Sequence, residues 1–252
     1  MEKHLSDRGH PRAARCHAKS QRLRPCVMTA VWREWRGLIT FLAILIAVRM
    51  LIVDWNHVPS RSMVPTIIPG DRIVVDKLAY GLRLPFSNRM PIQWGNPKHS
   101  DVIVFRAPNT NILTVKRVIG LPGDRVSWDG DSLRINEENA VYRTLPAEKG
   151  PAFQLPDYSH TRRRQERLLG EQRDILQYRI TPRRGGGAFH DVVVPDDHYL
   201  VLGDNRDNSG DFRKFGFVPR SNVVGQATHI LLSLDPQQYY WPRSKRAGIR
   251  LK

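Results

Sequence analysis

The sequence predicts a mainly β fold: an antiparallel sheet body with a surface insertion, behind one N-terminal transmembrane helix. Three observations lead there. One long apolar run, 37–53, stands out from an otherwise polar chain. From Pro69 onward, short runs rich in Val and Ile alternate with turns rich in Pro, Gly and Asp. No helical crossover separates those runs, so the strands follow one another through turns, which favours antiparallel pairing.

Residues 1–36 come first. Nine Lys and Arg stand there against Glu2, Asp7 and Glu34, a balance of +6. High charge and few apolar residues predict a tail without stable structure. The whole chain carries 40 Lys and Arg against 24 Asp and Glu, net +16, which points to anionic surroundings: nucleic acid or phospholipid head groups. A cytoplasmic flank beside a membrane helix explains the tail's charge more simply, so a phospholipid membrane is the expected partner and nucleic acid is not.

The run 37–53 has 17 residues. As helix it would extend about 26 Å, the short end for a bilayer span. Thr40 is the only polar residue in 38–48, and Arg49 lies near the far end, where it can snorkel outward. Trp32, Trp35 and Trp55 bracket the run like interface anchors. The basic tail predicts a single-pass topology with 1–36 inside and 54–252 outside. No small-x-small cleavage site follows Val53, so the run reads as an uncleaved anchor and not as a signal peptide.

Strands are expected at 72–78, 101–105, 114–119, 125–128, 132–135, 198–202 and 223–232. Asp129-Gly130-Asp131 makes a hairpin of the fourth and fifth. About 127–195 is expected as an inserted β subdomain with a flexible loop. In it, the arginines around 161–167 and the glycines 185–187 read as a solvated surface segment, with lipid head groups or nucleic acid as alternative contacts for the arginines. Cys16 and Cys26 both precede the apolar run, so no disulfide holds the body.

Three stretches carry the chemistry. Prolines bracket Pro59-Ser60-Arg61-Ser62-Met63-Val64-Pro65-Thr66 and predict a stiff, extended segment that can hold a serine oxygen at a fixed angle. A polar linker after an anchor would look the same. Lys116 stands among valines on a strand. Turned inward, it would lose charge through burial, and a neutral amine can deprotonate a serine in the Ser–Lys form of nucleophilic catalysis. By spacing alone, an exposed strand lysine is favoured. Arg117, on the opposite face, is expected in solvent. Loop 203–211 is dense in turn formers, but Ser209 and Phe215 stand where a calcium loop started at Asp204 needs Gly and Glu. No histidine falls in a zinc motif, and His57, five residues before Ser62, leaves Ser–His chemistry open.

Taken in order, Pro59-Ser-x-Ser62-Met-x-Pro-Thr66, Pro69-Gly-Asp71, Lys116-Arg117-x-x-Gly-Leu-Pro-Gly-Asp124 and Gly203-Asp-Asn-Arg-Asp-Asn-Ser209-x-Asp211 with Gly216-Phe-Val-Pro219 resemble the type I signal peptidases. The resemblance covers about residues 32–252. It implies a Ser–Lys serine endopeptidase of the bacterial cytoplasmic membrane that cleaves signal peptides from preproteins at the outer face. Ser62 would be the nucleophile and Lys116 the general base, with Ser60 and the Ser62 N–H as oxyanion donors. Ser209 would orient the lysine, and Asp211 with Arg213 would form a supporting pair. Val58, Met63, Ile67 and Val115 would line the substrate pocket, which takes small side chains at the first and third positions before the scissile bond. No metal or cofactor is implied. Two positions depart from the family pattern: Ser100 stands where glycine is usual, and Arg61 where a small residue is common. A repressor autoprotease, a conjugation-specific peptidase and a non-enzymatic basic membrane scaffold remain as alternatives.

Overall fold

The computed structural model describes residues 24–83, 91–146, 160–178 and 187–251. The expected tail up to residue 23, Cys16 included, and the parts 147–159 and 179–186 of the insertion lie outside the described residues. The chain divides into two units, Met1–Ile46 and Ala47–Lys252.

Helix α1 spans Arg24–Leu51. The expected span ran 37–53; the helix instead takes in 24–36 of the tail expected to lack stable structure, and Val53 opens strand β1, Val53–His57. Among the described residues no helix is long and apolar enough to cross a membrane. The reason lies in the boundary. Only 37–51 of the apolar run is helical, about 22 Å against a hydrocarbon core of about 30 Å. Extension toward the N-terminus takes in Arg36 and Glu34. Trp55 belongs to β1, and the Arg49 guanidinium lies 4.1 Å from the centre of its ring.

The remaining strands are β2 Asp71–Asp76, β3 Gly81–Leu82, β4 Ile92–Gln93, β5 Val102–Arg106, β6 Leu113–Gly120, β7 Arg125–Trp128, β8 Leu133–Ile135 and β9 Glu138–Asn139. They continue as β10 Val141–Thr144, β11 Thr161–Leu168, β12 Glu171–Tyr178, β13 Phe189–Val193, β14 His198–Leu202, β15 Val218–Pro219, β16 Val223–Asp235 and β17 Trp241–Pro242. A short helix α2, Phe212–Phe215, is capped by the Asp211 carboxylate.

The main sheet runs β1-β2-β16-β5-β6-β14-β15, with β17 beside β16. Every neighbour in it is antiparallel, so the expected antiparallel β body holds. The period-2 pattern explains β2, where Asp71, Ile73 and Val75 are buried and Arg72, Val74 and Asp76 are half-buried. β6 differs. Residues 115–120 are buried without interruption, because both faces of this strand are covered.

The insertion holds two small sheets, β13-β7-β8-β9 and β10-β11-β12. The arginine run expected as a solvated segment is β11, paired with β12 from Thr161↔Tyr178 to Leu168↔Glu171. Local charge balance permits this. Arg163 pairs with Asp174, and Arg162 and Arg164 with Asp131. Glu166 on the same strand is fully buried.

Candidate active site

β1 delivers the chain to the site. Val58 N–H donates to Asp71 O (2.9 Å), and Gly70 N–H donates back to Val58 O (3.1 Å). The next residues turn and do not extend: Val64 N–H donates to Arg61 O (3.3 Å) and Ile67 N–H to Met63 O (2.9 Å). Met63, Val64 and Ile67 cause the turn. All three are fully buried, and satisfying their apolar surface pulls the chain into the core. Proline stiffness alone predicted the wrong shape for this segment.

The turn leaves Ser62 beside β6. Lys116 Nζ lies 2.6 Å from Ser62 Oγ and donates to Val115 O at 2.8 Å. Lys116 is 3% exposed and Ser62 8%. Burial pushes the lysine down to about 8, against the pull of the Asp211 and Asp204 carboxylates. Ser60 Oγ lies 3.3 Å from Ser62 Oγ, at the exposed rim. The Ser62 hydroxyl is therefore bonded to Lys116 and Ser60, and not to His57.

Loop 203–211 closes the site from the other side. Asn205 N–H donates to Ser62 O (3.1 Å) and its Nδ2 to Arg61 O (3.1 Å). Arg117 is 1% exposed, not solvated as expected. Its Nε and Nη2 donate to the two Asp204 carboxylate oxygens, both at 2.8 Å. Its Nη1 donates to Ser100 O at 2.7 Å. Thr66 adds a hydroxyl to Asp204 at 2.5 Å. Arg213 grips Asp211 through Nε (2.8 Å) and Nη2 (2.7 Å), and Asp211 accepts the Gly203 N–H (3.1 Å).

Ser209 does not make the expected contact. Its hydroxyl is buried and has no hydrogen-bond partner among the described residues. Lys116 spends its bonds on Ser62 and Val115 instead.

A cleft of about 470 Å³ runs past the Ser–Lys pair. Val58 and Val115 line it, joined by His57, Ile73, Val104 and Leu113. Met63 and Ile67 do not line it. They sit fully buried in the apolar cluster that also contains Val58 and Val115. Arg117, Asp204, Asn205 and Thr66 escaped sequence reasoning. The available signal was the unbroken apolar character around Lys116-Arg117, which leaves no solvent face for the arginine.

The family model described as "Signal peptidase, peptidase S26" matches residues 32–232. The chain belongs to the signal peptidase family. Signal peptidase I of Pseudomonas aeruginosa is 36% identical over 221 residues, covering 82% of this chain and 75% of that one. Signal peptidase I of Buchnera aphidicola from Schizaphis graminum is 32% identical over 253 residues, covering 88% and 80%. A crystal structure of a signal peptidase I from Enterococcus faecalis aligns with a TM-score of 0.32 at 30% identity, covering 53% of this chain and 97% of that one. A serine hydroxyl within bonding distance of a buried amine has the parts for nucleophilic attack without a histidine.

Proposed function

We propose that this chain is a membrane-anchored serine endopeptidase that removes signal peptides from secreted preproteins at the outer face of the cytoplasmic membrane. The observation that carries the reading is the 2.6 Å Nζ–Oγ separation between two buried side chains. With its pKa lowered to about 8, a useful fraction of Lys116 is a neutral amine near neutral pH. The Ser62 hydroxyl then donates to that amine's lone pair, and Ser62 Oγ attacks the scissile carbonyl as the proton leaves. The oxyanion forms against the Ser62 N–H and the Ser60 hydroxyl. The protonated lysine returns its proton to the leaving amine, and a water attacking the acyl-enzyme repeats the cycle.

The cleft's Val58, Val104 and Val115 fit small side chains on an extended substrate, whose backbone pairs with the strand edges beside it. Anchoring is supported by α1: Leu38, Ile39, Phe41, Leu42, Ile44, Leu45 and Ile46 are all exposed, a surface that water disfavours. The basic residues before the run put the N-terminus in the cytoplasm.

The deciding experiment incubates a preprotein with detergent-solubilised wild type and Ser62→Ala. Wild type releases the mature protein, whereas Ser62→Ala and Lys116→Ala are each inactive and the double variant is no worse. Residual turnover in pure Ser62→Ala would refute the nucleophile.

A further inference from the structure

Among the described residues, none that lines the cleft comes from the insertion, yet the insertion is linked to the catalytic segment through buried hydrogen bonds. Glu166 on β11 is fully buried. Its carboxylate accepts from Arg206 Nη1 (2.5 Å) and Nη2 (2.8 Å), from Arg173 Nε (2.6 Å) and from the Tyr142 hydroxyl (2.9 Å). Burial by itself would raise this carboxyl, but the Arg173 and Arg206 guanidiniums outweigh it and hold the group well below the usual range.

Two routes lead from Glu166 to loop 203–211. The first is Arg206 itself, a loop residue whose N–H also donates to Leu176 O on β12 (2.9 Å). The second passes through Arg173, whose Nη1 donates to Ser100 Oγ at 2.7 Å. Ser100 O accepts from Arg117, and Arg117 grips Asp204. Asp204 and Arg206 are the two neighbours of Asn205, so a closed ring of buried groups holds Asn205 from both sides. Ser100 stands at φ 71, a conformation that favours glycine, and its hydroxyl is what completes the ring.

Asn205 passes this constraint to Ser62. The Arg61 carbonyl that accepts from Asn205 Nδ2 and the Ser62 N–H are opposite ends of one planar peptide group. Fixing the first fixes the direction of the second, which is the backbone donor assigned to the oxyanion.

We propose that Glu166 is a positioning residue for the cleavage reaction, acting through Arg206 and Asn205 on the orientation of the Ser62 peptide group. The proposal rests on the Ser62 reading above. The test compares wild type, Glu166→Gln, Asn205→Ala and the double variant on a preprotein, with rates referred to the folded fraction seen by near-ultraviolet circular dichroism. Glu166→Gln should lower kcat by about 10–10²-fold, the range a small misplacement costs. KM should stay within about a factor of two, because the donor acts in the transition state. The double variant should be no slower than Asn205→Ala alone, since both act on the same peptide group. Arg206→Lys keeps the charge but loses the two-pronged grip, and should give the same pattern if Glu166→Gln folds poorly. Losses that multiply in the double variant, or full kcat per folded molecule in both Glu166→Gln and Arg206→Lys, overturn this inference alone. A wild type inactive on the preprotein overturns the proposed function together with it.

Discussion

On the proposed reading, the buried Lys116 ties activity and stability to the same proton. In the unfolded chain Lys116 titrates at its ordinary 10.5, in the folded protein at about 8. Below pH 8 both states hold the proton, and the fold bears the cost of a buried ammonium, about 3 kcal/mol at 1.36 kcal/mol per pH unit. Between pH 8 and 10.5 the unfolded state binds more protons, so stability rises with pH; above 10.5 the cost is gone. Lys116→Met should therefore be more stable than wild type at neutral pH, with the gap closing across that window in urea titrations. A gap independent of pH contradicts the lysine's folded-state value. If Lys116 is the base, as proposed, the acid limb of kcat/KM should have its midpoint near pH 8. Ser60 is separable from this proton. Its hydroxyl is 3.3 Å from Ser62 Oγ, so Ser60→Ala should lower kcat by about 10²–10³ with little change in KM. Ser60→Thr should keep most activity, and the acid limb should stay in place in both. An increase in KM alone would assign Ser60 to substrate binding instead.

At the scale of elements, β6 and loop 203–211 are joined by a buried ion pair, Arg117–Asp204, each 1% exposed. Arg117→Met leaves the Asp204 carboxylate buried without its partner, which should cost about 3–5 kcal/mol in urea denaturation. Replacing both by apolar residues of similar size should recover much of that loss. Equal destabilisation in single and double variants would mean that the pair's packing matters and its charge does not. This pair also shows what the pattern of residues conceals. Strand β6 was legible from Val and Ile content, but alternation implies one solvated face, and 115–120 has none. Likewise β11 was hidden because its arginines look solvated, while their partners Asp131 and Asp174 lie far along the sequence or on the next strand.

For the whole molecule, β1 is the first strand after the proposed anchor. Removal of residues 1–46 leaves β1 in register with β2, from Val53↔Asp76 to His57↔Arg72. Removal through His57 strips that strand and part of the cleft wall. The first truncation should cleave a signal-peptide substrate in detergent, and the second should lose activity and cooperative unfolding. Full activity in the second would place the substrate away from β1. In cells, external protease should digest the body and spare the tail, and the reverse pattern would defeat the proposed orientation.

Sequence alone determined the antiparallel β class and most strand positions, which follow from β-branched runs and turn formers. Ser62 and Lys116 came together as candidates only through the resemblance of four ordered motifs to the type I signal peptidases. Tertiary structure decided the rest. It turned 61–66 inward because Met63, Val64 and Ile67 bury there. It moved Met63 and Ile67 from the expected pocket into the core beneath it, left Ser209 without the expected lysine and shortened the helical part of the apolar run at Leu51. It also buried Arg117, Arg173 and Arg206 around Asp204 and Glu166. A charge reads as solvated until the residue that neutralises it is known, and those partners come together only when distant strands pair.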